Sequence, residues 1–123
     1  MSDAPKPVRR LKTYTAETGF VYQFYFVGKR RALAGLAPAV EFIFDVSPDR
    51  KLKYSVSVFL SDAAVAAWTS AHGRRPSDAE QYAAAKTRLL RAFDEIGDMF
   101  VSGRQLALEF VLLEELFDQL GVE

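Results

Sequence analysis

The sequence predicts an α+β fold, an antiparallel β-meander of three to four strands followed by three helices packed on one face. Three observations carry that expectation. Residues 39–60 hold two runs of alternating apolar side chains around a Ser-Pro-Asp-Arg turn, which is half-buried strand chemistry. Residues 20–27, FVYQFYFV, are β-branched and aromatic almost throughout. After Leu60 the apolar period lengthens to that of a helix, and Ser61 and Ser77 stand where N-caps belong.

Taken in order, residues 1–7 contain Ser2, Pro5 and Pro7 and read as a flexible tail, leaving residues 8–123 as one domain. Residues 8–14 give a ragged first strand, residues 15–19 a turn, and residues 20–27 the second strand. Residues 28–38 read as a loop carrying Lys29, Arg30, Arg31 and Gly35. In the hairpin, Val40, Phe42, Phe44 and Val46 share a side, as do Leu52, Tyr54, Val56, Val58 and Leu60. An odd loop keeps both sets on one face, which predicts Phe44 opposite Tyr54, Phe42 opposite Val56 and Asp45 opposite Lys53. Ser61 then caps a helix over residues 62–71, closed by Gly73. Ser77 and Glu80 form a capping box opening a helix to about Phe100, with Tyr82, Leu89, Phe93, Ile96 and Phe100 on its apolar stripe. A last helix starts near Ser102 and ends at Gly121. Trp68, Phe42, Phe44, Tyr54, Phe93 and Leu113 are the predicted core.

Composition narrows the chemistry. At 123 residues, half of them hydrophobic and 26% charged, the chain is long enough to bury a real core. With no cysteine and one histidine, disulfide frameworks and cysteine zinc sites are excluded, and no metal or cofactor is expected. No apolar run has signal-peptide or transmembrane length, so a cytoplasmic location without membrane partners is the expectation. The net charge of zero conceals an uneven distribution. Residues 1–53 carry ten Lys or Arg against five Asp or Glu, whereas residues 92–123 carry one Arg against eight acids. Such ends attract each other, within one chain or between two.

No catalytic spacing emerges. His72 falls in the last turn of its helix, where an imidazole suits the dipole. Glu114 and Glu115, like Asp94 and Glu95, are adjacent on helices and diverge, and the isolated glycines match no phosphate loop. A non-enzymatic binding or scaffold domain is the favoured expectation. Two surfaces stand out. On the sheet side away from the core lie Tyr25, Lys51, Lys53 and Phe59, flanked by Lys29, Arg30 and Arg31. Cations beside aromatic rings suit single-stranded DNA or RNA, with Glu41 and Asp45 opposing. The strand-then-helix order is broadly similar to the Whirly and PUR-type modules that bind single strands, with no motif matched residue by residue. The last helix carries Leu108, Val111, Leu112 and Leu116 beyond its core stripe of Leu106, Phe110, Leu113, Phe117 and Leu120. Apolar surface on that scale predicts a homodimer interface. A carrier of a small apolar ligand, held between sheet and helices, is a third possibility.

Overall fold

The computed structural model describes residues 10–48 and 52–123. Five strands and four helices follow one another as β1 (Lys12–Thr15), β2 (Val21–Ala34), β3 (Ala37–Ser47), β4 (Tyr54–Ser61), α1 (Asp62–His72), α2 (Asp78–Glu95), α3 (Met99–Ser102), β5 (Gln105–Leu108) and α4 (Phe110–Gln119). They make one curled sheet in the order β1-β2-β3-β4-β5, antiparallel up to β4, with β5 parallel to β4. The α+β class and the meander stand, and the sheet gains a strand.

That fifth strand is the main departure. Gln105–Leu108 had read as the opening turn of the last helix, because Leu106, Phe110, Leu113 and Phe117 fit a helical period. Locally the burial alternates, with Leu106 and Leu108 inward and Gln105 and Ala107 outward. Pairing Ser57 with Gln105 and Leu60 with Leu108 satisfies backbone groups that β4 would otherwise leave at an open edge. A parallel partner needs a long crossover, and the helical stretch between β4 and β5 supplies it.

β2 is longer than its sequence suggested, because residues 28–34 continue as strand instead of looping. A bulge between Phe26 and Gly28 leaves Val27 unpaired, and Ala34 pairs with Ala37 across Gly35 and Leu36. Gly35 takes φ 64° at the first of the two central positions, a conformation the tight hairpin requires and glycine adopts without penalty. The bulge also reverses side-chain parity. Tyr22, Phe24 and Phe26 face the helices before it; Lys29, Arg31 and Leu33 take that side after it.

Between β3 and β4 the expected faces hold but the register moves by two residues. Val46 pairs with Tyr54, Phe44 with Val56 and Phe42 with Val58, and Asp45 faces Ser55 instead of Lys53. Parity fixes which face is buried, whereas the length of the connection decides the partner.

The helices cover the face bearing Phe42, Phe44, Val56 and Val58, all fully buried. Trp68 of α1 packs edge-on against Phe117 of α4 at 5.2 Å, and Phe93 of α2 stacks on Tyr22 at 4.1 Å. Each large apolar side chain buried this way contributes roughly 1.5–3 kcal/mol. The predicted core residues all lie in one cluster, Tyr54 and Leu113 included. Ser61 accepts from Ala64 N and donates to Glu109 Oε2 at 2.8 Å, so one hydroxyl caps α1 and ties β4 to the start of α4. The Ser77–Glu80 capping box forms as read. α2 stops at Glu95, short of Phe100. Ile96 is extended, Gly97 follows, and Asp98 Oδ1 accepts from Val101 N to start the short α3.

Candidate functional site

Strand alternation disperses the basic cluster. Lys29 turns to the helix side and meets Asp78 of α2 at 3.5 Å, while Arg31 forms a two-pronged bridge to Asp62 of α1, its Nη1 lying 2.9 Å from Oδ1. Arg30 alone reaches the outer face, donating from Nε to Glu41 at 2.8 Å. Lys53 lies 4.9 Å from the Tyr25 ring centre and 3.3 Å from Asp45, to which the Tyr25 hydroxyl also donates at 2.7 Å. Phe59 is half-buried opposite Glu41. Lys51 lies outside the described residues. The outer face is therefore a set of cations closed onto Glu41 and Asp45, and the expectation that Lys29, Arg30 and Arg31 flank it together is corrected: alternation along the strand separates them, and the bulge sets which of them faces outward.

The two carboxylates are well held. Burial pushes the Glu41 carboxyl up, but bonds from Arg30 and Ser57 outweigh it and carry it below the usual range. Asp45 follows the same balance, its burial overcome by Tyr25, Ser55 and Lys53. His72 stacks on Trp68 and places Nε2 2.6 Å from Glu114, joining α1 to α4.

The apolar excess of the last helix is absorbed within the chain. Leu108 belongs to β5 and is fully buried, Leu116 is fully buried on α4, and Leu112 packs partly against the core. Val111 alone is strongly exposed, at 79%. Leu108 and Leu116 are thus core residues, because strand and helix aim successive leucines into one interior that a single long helix could not have filled.

Exposed apolar surface gathers instead where the β1–β2 turn, the end of β3, the start of β4 and α3 converge. Phe20, Pro48, Leu52 and Phe100 border an open groove of about 280 Å³ floored by Tyr22, Tyr54 and Met99. Phe100 meets Tyr54 edge-on at 5.4 Å. Burial lifts the Tyr54 hydroxyl to about 12, and burial with nearby Asp98 also raises Tyr22.

Arg104 marks the boundary of this groove. Its guanidinium carbon lies 5.4 Å from the Phe100 ring centre and 5.8 Å from that of Tyr54, and Nε donates to the Ser55 carbonyl at 3.2 Å. Beyond it opens a polar cavity of about 510 Å³ lined by Ser55, Ser57, Val101, Ser102, Arg104 and Gln105. Sequence reasoning missed Arg104, having assigned it to the start of the last helix. A signal existed in Gly97-Asp98, a stop followed by a cap, which separates α3 from α2 and frees residues 103–108 to become strand. Against this geometry, comparison of the chain with protein-family models, curated proteins and solved structures returned no match.

Proposed function

We propose that this protein is a non-enzymatic binding domain that assembles as a homodimer through the aromatic groove beside α3. The observation that carries the reading is the grouping of Phe20, Leu52 and Phe100, which are 57%, 40% and 45% exposed around one groove. Aromatic side chains lining a shared groove are what interface anchors look like, since they bury large area at low entropic cost. A second copy suits the groove because its border is apolar and aromatic, so the same surface can cover itself across a two-fold axis. A net charge of zero adds no long-range repulsion between copies.

Sedimentation at tens of micromolar tests the assembly. The dimer should dissociate on Phe20→Glu with the circular dichroism spectrum of the folded chain retained, and Val111→Glu on α4 should leave it intact. A wild-type chain that sediments as a monomer overturns the homodimer.

A further inference from the structure

We infer that the cavity beside Arg104 binds a small carboxylate that also carries hydroxyl or ammonium donors. The inference stands independently of the dimer. About 510 Å³ is the size class of small-molecule sites, and the lining of this open depression sets a guanidinium beside two serines.

The guanidinium donates. Arg104 is held by the Ser55 carbonyl at Nε and by contact with the Phe100 and Tyr54 rings. Its two terminal nitrogens have no hydrogen-bond partner among the described residues, which leaves the fork open to a ligand. Among the described residues no carboxylate lies in ion-pair contact with it, in contrast to Arg30, Arg31, Arg74 and Arg91. A planar carboxylate matches that fork with two parallel, charge-assisted bonds.

Ser55 and Ser57 supply acceptors. Ser57 Oγ donates its single hydrogen to Glu41 at 2.6 Å, and Ser55 Oγ donates to Asp45 at 3.1 Å. A hydroxyl whose proton is committed has only lone pairs to offer a ligand. The carboxylates behind both serines reinforce that polarity and oppose a second anionic group there. A bare oxyanion satisfies only the arginine, and a neutral polyol only the two serines. A hydroxy- or amino-carboxylate satisfies both.

Titration of the labelled full chain, read from backbone amide shifts, tests this with four probes. Glucuronate and glycine pair a carboxylate with hydroxyl or ammonium donors, whereas acetate and glucose each carry one half. At least one of the first two should bind saturably, shifting Ser55, Ser57 and Arg104, at about tenfold or greater advantage over acetate and glucose. Arg104→Gln should lose about tenfold or more of that affinity while the melting temperature holds. Should that variant unfold, Arg104→Lys, which keeps the charge without the fork, takes its place with the same expected loss. Ser57→Ala should weaken the bifunctional probe and leave acetate unchanged. Acetate binding as tightly as both bifunctional probes, affinity indifferent to the Arg104 change, or no saturable shift up to about 50 mM would each overturn the inference.

Discussion

Tyr14 shows how one bond sets a residue's behaviour. Its hydroxyl donates to Asp94 Oδ2 at 2.7 Å, and Asp94 Oδ1 accepts from the Glu17 amide, so a single carboxylate binds β1 and its turn to α2. The bond to Asp94, then burial, lifts the phenol from 10 to about 12. A raised pKa in the folded state means stabilisation that is present below pH 10 and lost as pH rises through about 12. Tyr14→Phe should abolish that part of the alkaline loss, and a Tyr14 titration midpoint near 10 would show that the bond does not form in solution. Phe93 is the corresponding test of packing. It is fully buried between Tyr22, Tyr14 and Phe24, so Phe93→Ala should cost roughly 3–5 kcal/mol in denaturant unfolding. A loss below about 1 kcal/mol would refute the assigned face of α2.

The elements succeed or fail by their caps and breaks. Ser77 accepts from Glu80 N while the Glu80 carboxylate accepts from Ser77 N and from Arg74. The Arg74 bond, followed by the Ser77 amide, holds the Glu80 carboxyl down at about 2. Because the folded value is depressed, this cap is intact above about pH 4.5 and is released only as pH falls toward 2. Ser77→Ala should cost about 1 kcal/mol through the lost bond from the Glu80 amide, whereas Glu80→Ala should remove this part of the loss of stability between pH 4.5 and 2, both checked by denaturant unfolding. The break between α3 and β5 depends on Gly103. Its φ of −117° is open to any residue, but an added Cβ would stand 3.1 Å from the Met99 backbone and would overlap the buried Met99 sulfur. Gly103→Ala should therefore cost about 1–3 kcal/mol through overpacking alone. An unchanged stability would mean that α3 swings aside freely.

At the scale of the molecule, β5 changes the meaning of the last quarter of the chain. Read as one long helix, it carries too many leucines for one interior. Folded as strand, turn and helix, it sends Leu106 and Leu108 to the sheet and Leu113, Leu116 and Phe117 to the helix layer. Leu116→Ala should consequently lose about 2–5 kcal/mol, as a core truncation does. Val111→Glu should stay within about 0.5 kcal/mol, as an exposed site does. Thermal unfolding of the two variants side by side separates core from interface. The acidic C-terminal part and the basic N-terminal part do not pair simply. Arg91 meets Glu115 and His72 meets Glu114, while Lys29 and Arg31 find acids in the middle of the chain.

The sequence by itself determined everything with a local cause: the meander, the buried face of β3 and β4, the caps at Ser61 and Ser77, and the core around Trp68 and Phe93. Alternation, helical period and capping chemistry act over a few residues, so they are written in neighbouring letters. Tertiary structure alone decided the two-residue shift of the hairpin, the bulge that turns Lys29 and Arg31 to the helix side, and the parallel strand at Gln105–Leu108. Each of these turns on backbone groups seeking partners far along the chain, where the apolar pattern fits more than one answer. The site at Arg104 belongs to the second kind. Its cavity exists only because β5 lies against β4, and four letters of strand inside an apolar run say nothing of their neighbour until the open edge of β4 selects them.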